Sequence, residues 1–338
     1  MYGFNIESIE LKSHDRHEVE RFLADFDLSL DKNVDATYIV KARERIVGTC
    51  STAGKVIKCF AVTAELQGQG LGAQLVTYVI NDLFDRGIYG YFLFTQPKNR
   101  AMFTEFGLRE IYAAEKASLL EGGIADISRS VRDMVTASGL QGGTPCAALV
   151  MNCNPLTLGH RYLIEKAAAE NEQVVVFIVE EDLSFFPFKD RFDLVKRNTG
   201  DLKNVAVLPG GDYIISAATF PTYFLKEQNE ILMTYTSLDA GIFSKYIASG
   251  FGIKRRYVGT EPTDVVTYAY NAALAATLPR YGIELVTVDR IAKDRRVISA
   301  SRVRRLLEAG AWADLRRLVP DVTYEYLWKR WGQNIDQT

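Results

Sequence analysis

The 338-residue chain lacks the features on which membrane and nucleic-acid-binding proteins rely. No stretch approaches the roughly 20 apolar residues that a membrane-spanning helix needs, and the first residues lack the basic-then-apolar pattern of a secretory signal. Because 40 basic residues are balanced by 42 acidic ones, the formal net charge is only −2 and no strongly basic field favours nucleic acid. These absences predict a cytoplasmic protein with neither a membrane nor a nucleic-acid partner.

Cysteine and histidine are also scarce, with four and three residues respectively. The cysteines show no CxxC spacing and lie mostly in apolar stretches, which favours buried, reduced thiols over disulfides or zinc ligands. They are Cys50, Cys59, Cys146 and Cys153. No protein ligand to a metal is therefore predicted.

One segment of low apolar content divides the chain. Residues 119–144, "LLEGGIADISRSVRDMVTASGLQGGT", are bounded by Gly-Gly pairs and carry few large apolar side chains, as is typical of a connection between domains. We therefore expect an N-terminal domain over 1–118, a linker over 119–144 and a C-terminal domain over 145–338.

The C-terminal part alternates apolar runs of strand length with helical patterns. "CAALVMN", "VVVFIVE", "VAVLP", "RRYVG" and "IELVTV" are separated by segments such as "GHRYLIEKAAAEN" and "FKDRFDLVKRN". Strands that are apolar on both faces and separated by helices predict a parallel sheet covered on both sides, the α/β doubly wound class. In such sheets ligands bind beyond the carboxyl ends of the strands.

The segment after the first of these strands carries polar residues where such a ligand is expected. In "MNCNPLTLGHRYL", Asn154 and Pro155 turn the chain, and Thr157 and His160 can donate hydrogen bonds at the start of a helix. Gly159 allows a close backbone approach. Free N–H groups at a helix N-terminus favour an anion, so the pattern predicts a phosphate site. The alternative for His160 alone is a terminal residue satisfied by a nearby carbonyl.

A second phosphate site is predicted near the C-terminal end, where "RIAKDRRVISASRVRRLL" holds seven basic residues and one acidic residue. Ser299 and Ser301 lie at a predicted helix start, with Arg304 one turn in. Taken alone, the pattern also fits an ordinary serine cap with a solvated basic face, or an RNA patch. "ISRSVR" at Ile127 is similar, but its spacing is one residue short and no strand is predicted before it.

Together, T-x-G-H and I-S-x-S-x-x-R resemble the paired signatures of the HIGH-type nucleotidyltransferase superfamily, which cleaves ATP between its α and β phosphates. The resemblance implies that Thr157 and His160 contact the α-phosphate side, and that Arg304 and the two serines contact the β and γ phosphates. Further candidates for ATP binding are Asn152, Asn154, Pro155, Gly159, Lys189, Gly259 and Glu261, with Arg191 as an alternative to Lys189 for a phosphate cation. Gly259 and Glu261, which could lie beside adenosine or substrate, also fit a turn before a helix.

The N-terminal part has a different glycine-rich pattern. "VIKCFAVTAELQGQGLGAQLVTYVINDLFDRG" predicts a strand, a loop and an amphipathic helix, and its Q-x-x-G-x-G segment resembles the pyrophosphate loop of GCN5-related N-acetyltransferases (GNAT). That resemblance implies an α+β fold and a loop that binds coenzyme A or a similar arm through Gln67, Gly68, Gln69, Gly70, Leu71 and Gly72. No clear catalytic base accompanies it, since Glu65 fits a solvated surface acid.

The order of the two halves, with "EEDLSFFPFKDRFDLV", "SAATFPTYFLK" and "VGTEPTDVVTYAYN", resembles the citrate lyase ligase family over essentially the whole chain. The resemblance implies a GNAT-like domain followed by a Rossmann-like nucleotidyltransferase domain. It also implies an acid–thiol ligase that uses ATP, Mg²⁺ and acetate, with acetyl adenylate as intermediate. The acceptor would be the thiol of a dephospho-coenzyme A-derived group on the acyl carrier subunit of citrate lyase.

Two alternatives remain open at this point. An adenylyltransferase of the phosphopantetheine or nicotinamide mononucleotide type would share both phosphate motifs. A binding module whose N-terminal half responds to acetyl-coenzyme A would share the glycine-rich loop but would not turn over ATP.

Overall fold

The computed structural model describes residues 5–31, 33–180, 184–215, 220, 223–225, 228–260, 265–293 and 296–332. The chain forms two compact units. The N-terminal unit comprises Met1–Ile127 and Phe220–Leu238, and the C-terminal unit comprises Ser128–Thr219 and Asp239–Thr338. The fold class is mixed α/β, with a mostly antiparallel sheet in the N-terminal unit and a parallel sheet in the C-terminal unit.

The N-terminal unit contains a seven-stranded sheet in the order β1-β2-β3-β4-β5-β7-β6. Its strands are β1 Ile6–Ile9, β2 Ala36–Ala42, β3 Arg45–Ala53, β4 Val56–Val62, β5 Gly90–Thr95, β6 Arg109–Ala113 and β7 Ser118–Gly123. All neighbouring strands are antiparallel except β4 and β5. The helices are α1 Ser13–Ala24, α2 Leu71–Asp85 and α3 Arg100–Glu105, with 3₁₀ turns at Ala64–Leu66 and Pro97–Asn99.

Helix α2 shows why the predicted strand, loop and helix form as they do. Its buried residues recur at helical spacing, so one face packs on the sheet; they are Leu71, Leu75, Val76, Val79 and Leu83. The helix begins after Gly70, whose φ of +85° lies in the left-handed region that glycine adopts without strain. The predicted order of β4, loop and α2 is confirmed.

The C-terminal unit is built on a five-stranded parallel sheet in the order β10-β9-β8-β11-β12. Its strands are β8 Cys146–Met151, β9 Gln173–Ile178, β10 Val205–Pro209, β11 Ile253–Gly259 and β12 Glu284–Val288. From β8 the chain continues to β9 and β10 on one side of β8. The later strands β11 and β12 lie on its other side, so the strand order reverses at β8. This reversal of strand order is where open α/β sheets bind ligands, and the predicted doubly wound class is confirmed.

Helices and short segments connect these strands. The helices are α4 Ile127–Ser138, α5 Leu158–Glu170, α6 Phe188–Thr199, α7 Gln228–Ile242, α8 Ser249–Phe251, α9 Val265–Thr277, α10 Ala300–Glu308, α11 Trp312–Arg316 and α12 Asp321–Trp331. A π-helical segment Phe243–Ala248 follows α7, a 3₁₀ turn Leu278–Tyr281 follows α9, and a small antiparallel pair is formed by β13 Ala292–Lys293 and β14 Arg296–Val297. Among the described residues, no helix is both long and apolar enough to cross a bilayer.

The segment 119–144, which the sequence assigns to a linker, contains most of β7 and all of α4. Leu119 and Leu120 are buried in the N-terminal sheet, and the Gly122–Gly123 pair lies at the end of a strand. The paucity of large apolar side chains therefore reflects an edge-proximal strand and a surface helix. The two observed units divide inside this segment, between Ile127 and Ser128, and the N-terminal unit also takes in Phe220–Leu238.

The "ISRSVR" segment is the start of α4, and the expectation that no strand precedes it is wrong, because β7 ends four residues earlier. Its helix N-terminus is already occupied, since the Glu121 carboxylate accepts a hydrogen bond of 3.1 Å from the Ile127 amide. All four cysteines are free and buried, as predicted. Burial raises the pKa of the Cys59, Cys146 and Cys153 thiols to about 12, which keeps them unreactive.

Candidate active site

A cavity of about 490 Å³ lies at the carboxyl ends of the C-terminal sheet. It brings together residues from β8, α5, β11, α9, β12 and α10. Of the predicted ATP-binding and catalytic residues, nine line it: Asn152, Asn154, Thr157, Gly159, His160, Gly259, Ser299, Ser301 and Arg304. Two motifs about 140 residues apart in sequence therefore share one cavity.

The start of α5 holds His160 in one tautomer. The Thr157 backbone amide donates a 3.1 Å hydrogen bond to His160 Nδ1, and the His160 amide donates a 3.3 Å bond to Thr157 Oγ1. This reciprocal capping satisfies two N–H groups at the helix start. Because Nδ1 accepts a hydrogen bond, the neutral imidazole carries its proton on Nε2. His160 is thus arranged as a hydrogen-bond donor through Nε2.

The imidazole is also kept neutral. Burial, and secondarily the positive charge of Arg290, lower the pKa of His160 to about 4. At neutral pH the ring therefore donates one hydrogen bond without carrying a charge of its own. A neutral donor can stabilise negative charge that develops on an adjacent oxygen.

The second motif packs directly on the first. A Cβ on Gly159 would lie 3.3 Å from the Ile298 carbonyl oxygen, so the absence of a side chain lets the two segments meet. Arg304 Nη1 donates a 2.5 Å hydrogen bond to the Asn154 carbonyl oxygen. Burial lowers the pKa of Arg304, which remains a cation at neutral pH. Gly159, which the sequence predicts to allow close approach of a ligand, thus also allows the contact between the two motifs.

Ser299 caps the N-terminus of α10: its Oγ accepts a 3.3 Å hydrogen bond from the Arg302 amide and lies 3.2 Å from Ser301 Oγ. The N-termini of α5 and α10 therefore both border the cavity. Some N–H groups at each helix start already have partners, such as Leu158 on the Leu318 carbonyl oxygen and Arg302 on Ser299 Oγ, and the remaining ones suit a phosphate. The charged lining side chains among the described residues are three arginines and one carboxylate, namely Arg256, Arg290, Arg304 and Asp289. The balance favours a polyanion.

Four of the candidate residues are not among the described residues that line the cavity. Pro155 is buried but does not line the cavity, and Lys189 is exposed and also lies outside its lining. Glu261 falls outside the described residues. Arg191, which was considered with Lys189, is fully buried and its Nη1 donates to the Asn152 and Val179 carbonyl oxygens, so it ties strand ends together.

Arg290, one of the seven basic residues of the second predicted phosphate site, also lines the cavity. Several lining residues were not identified from the sequence, among them Arg256, Tyr270, Asn271 and Asp289. One signal was available for Arg256, because "RRYVG" places two adjacent arginines in a strand, and successive side chains of a strand point to opposite faces. The residues from α9 carry no comparable signal, since they become neighbours of the phosphate motifs only when α9 packs beside β11.

The N-terminal unit has its own cavity, of about 590 Å³. Strands β4 and β5 pair only at Val56–Phe92 and Ile57–Leu93, so the later part of β4 separates from β5. The cavity is bordered by the end of β4, by the glycine-rich loop and by residues after β5. Gln67, Gly68, Gly70 and Gly72 line it, whereas Gln69 does not and Leu71 is buried in the core.

The glycine-rich loop is held by its glutamines. Gln67 Nε2 donates a 3.0 Å hydrogen bond to the Val62 carbonyl oxygen, and Gln69 Nε2 donates a 2.6 Å bond to the Glu65 carbonyl oxygen. A side chain on Gly72 would lie 3.3 Å from the Phe60 ring. The loop thus presents backbone amides beside a wall that is partly apolar.

Comparison with known proteins finds matches to two family models and to a solved structure. The family model described as citrate lyase ligase C-terminal domain matches residues 146–327, and the acetyltransferase (GNAT) family model matches residues 4–108. A crystal structure of Thermotoga maritima TmcAL bound with alpha-thio ATP is similar at 14% identity and a TM-score of 0.36, over 56% of each chain.

Two similar proteins cover nearly the whole chain. The [citrate [pro-3S]-lyase] ligase of Klebsiella pneumoniae is 38% identical over 94% of both chains. The [citrate [pro-3S]-lyase] ligase of Escherichia coli strain K12 is 36% identical over 97% of this chain and 95% of its own. The chain therefore belongs to the citrate lyase ligase family, a family of enzymes of the ligase class.

Proposed function

We propose that this protein uses ATP and acetate to acetylate a thiol on citrate lyase, with acetyl adenylate as the intermediate. An acetate oxygen attacks the α-phosphorus of ATP, the bond from the α-phosphorus to the oxygen bridging to the β-phosphate breaks, and pyrophosphate leaves. The acceptor thiol then attacks the acetyl carbon, releasing AMP and a proton. Family membership supports the overall reaction, and the C-terminal cavity supports the first step.

The observation that carries the proposal is the meeting of the two phosphate motifs in one cavity with a neutral, Nε2-protonated His160. His160 donates to an α-phosphate oxygen while negative charge builds there in the transition state. The α10 N-terminus with its serines, and Arg304, receive the departing pyrophosphate. Each such charge-assisted hydrogen bond contributes about 1.5–3 kcal/mol, so several are needed for a triphosphate.

Mg²⁺ accompanies the ATP in this proposal. Such an ion is usually held by one or two carboxylates together with substrate phosphates and water, and the described lining of the cavity includes one carboxylate, Asp289. The donor set therefore fits an ion that enters as MgATP. When bound, it neutralises charge on the phosphates, while the positioning falls to the residues named above.

For the second step, the glycine-rich loop of the N-terminal unit holds the acceptor arm. An arm derived from dephospho-coenzyme A carries a diphosphate and a pantetheine chain. The backbone amides at Gly68 and Gly70 suit the diphosphate, and the partly apolar wall suits the chain. Binding the arm on the same polypeptide raises the effective concentration of its thiol.

The test is acetate-dependent release of pyrophosphate and AMP, measured with and without purified deacetylated citrate lyase. Pyrophosphate release that requires acetate, with full AMP turnover only when the lyase is present, supports the proposal. ATP cleavage that instead requires a phosphate-bearing acceptor such as phosphopantetheine identifies an adenylyltransferase. Absence of any ATP turnover by folded protein identifies a binding module, and either outcome overturns the proposal.

A further inference from the structure

Arg256 occupies an unusual place in the C-terminal sheet. It lies on β11, which pairs with β8 on one side and β12 on the other, and its side chain is 1% exposed. Moving a charged group from water into such a position costs several kcal/mol, and the cost is offset only by good partners. The partners of its guanidinium group therefore matter.

Those partners leave the guanidinium group incompletely satisfied. Nη2 donates a 2.6 Å hydrogen bond to the Tyr270 hydroxyl, which in turn donates a 2.5 Å bond to Asp239 Oδ2. The group also stacks on the Phe243 ring, 4.0 Å from its centroid. Within the described part of the chain, Nε and Nη1 have no hydrogen-bond partner. The hydrogen bonds thus connect Arg256 to the Asp239 carboxylate through the Tyr270 hydroxyl group.

The Asp239 carboxylate at the far end of these hydrogen bonds is itself held in place. Asp239 Oδ1 accepts a 3.0 Å hydrogen bond from the Ile215 amide, and Asp239 is itself buried. Tyr270 therefore stands between a fixed carboxylate and Arg256 and orients one edge of the guanidinium group. Two of the three nitrogens remain available for an acceptor that the chain does not supply among its described residues.

Arg256 and Tyr270 both line the C-terminal cavity. Arg256 precedes Gly259, the last residue of β11, by three positions, which at the rise of a strand places it about 10 Å below the edge of the sheet. The two helix N-termini that suit phosphates lie at that edge. The deeper position suits a smaller anion than a triphosphate.

We propose that Arg256 binds the carboxylate of the short-chain acid that is activated, with Tyr270 as a positioning residue. This inference rests on the proposed function, in which such a carboxylate must lie beside the α-phosphate. Carboxylate oxygens provide the acceptors that Nε and Nη1 lack. Both nitrogens are shielded from solvent in the unliganded chain, so binding includes a small adjustment of the Arg256 or Tyr270 side chain.

The experiment compares Arg256→Met with Arg255→Met on the same strand. Arg255 is partly exposed and pairs with Glu284 at 2.9 Å, away from the cavity lining, so it is the matched control. For Arg256→Met we expect the KM for acetate to rise about 10- to 150-fold, the range of one charge-assisted hydrogen bond. The KM for ATP should stay within about twofold, and Arg255→Met should change neither constant.

A second variant and a second readout cover the case in which Arg256→Met does not fold. Tyr270→Phe keeps the ring and removes the hydroxyl that orients Nη2, and should raise the KM for acetate by several-fold while kcat at saturating acetate is retained. Acetate binding itself is followed by saturation-transfer NMR of the acetate methyl group in the presence of a non-hydrolysable ATP analogue. That measurement needs no turnover.

An unchanged acetate KM and unchanged methyl saturation transfer in folded variants would overturn the inference. So would a rise in the KM for ATP as large as that for acetate, because Arg256 would then bind a phosphate. Failure of the proposed function looks different: the parent protein would release no acetate-dependent pyrophosphate. In that case, acetate binding that is abolished by Arg256→Met still supports a carboxylate site, and absence of acetate binding to the parent protein overturns it.

Discussion

The two cavities differ in the kind of group that each presents. The C-terminal cavity is lined by charged and hydrogen-bonding side chains that are themselves held in place, such as His160 by Thr157 and Arg304 by Asn154. The N-terminal cavity is bordered by glycine backbone and apolar side chains, and its only charged lining residues in the described chain are Lys98 and Glu105, both exposed. Pre-organised side chains suit charge development in a reaction. Backbone amides beside an apolar wall suit the holding of an arm.

The largest effect is expected at His160. In His160→Ala, acetate-dependent pyrophosphate release should fall about 10²–10³-fold, the loss typical of removing one donor to a developing oxyanion. ATP affinity should change far less, because the hydrogen bond matters most in the transition state. Single-turnover rates and equilibrium binding of an ATP analogue give the two numbers. Equal losses in rate and affinity would remove the distinction between this cavity and a simple binding site.

Arg304 should affect bound and departing phosphates alike. For Arg304→Ala we expect the KM for ATP to rise about 10- to 150-fold, as for loss of one charge-assisted hydrogen bond. Arg305, one residue on and exposed, is the matched control. Initial rates at varied ATP measure the effect; an unchanged KM would mean that the start of α10 does not touch the triphosphate.

The N-terminal loop is tested at Gly70. Asparagine tolerates left-handed φ better than other side chains do, and a Cβ on Gly70 meets nothing within 4 Å. In Gly70→Asn, acetyl transfer to the lyase should fall about 10-fold because the side chain obstructs the diphosphate, while pyrophosphate release persists. Gly87→Asn, at φ +78° and also in open space, controls for backbone strain. Equal transfer by the two variants would leave the loop without this role.

The smallest expected effect concerns pH. The pKa of His160 is lowered to about 4 in the folded chain, against an ordinary value of about 6.5. The unfolded chain therefore binds more protons between these values, and stability from this group is present above pH 6.5 and lost as pH falls toward 4. We expect the free energy of unfolding to fall by about 1–3 kcal/mol less between pH 7 and pH 5 in His160→Gln than in the parent protein. Urea unfolding of both proteins at pH 7 and pH 5 measures this difference, and a parallel pH dependence in the two would contradict an imidazole that folding keeps neutral.

The sequence predicted those strands and motifs whose residues follow one another in the chain. The apolar runs of β8 to β12 and the motifs around His160 and Ser299 are each continuous in the chain. Arg256 and Tyr270 were missed because their meeting depends on the packing of α9 beside β11, which no local spacing encodes. Within 119–144 the sequence did not reveal β7 and α4, because glycine pairs end strands as readily as they flank connections.

We propose that adenylation takes place in the C-terminal cavity and that the acceptor arm binds at the N-terminal glycine-rich loop. The most direct measurement supplies chemically prepared acetyl adenylate together with deacetylated citrate lyase to His160→Gln and Gly70→Asn. His160→Gln should transfer the acetyl group from added acetyl adenylate although it forms little from ATP and acetate. Gly70→Asn should form acetyl adenylate and release pyrophosphate but transfer poorly from either source. Loss of both steps in both variants would contradict the division of the reaction between the two units.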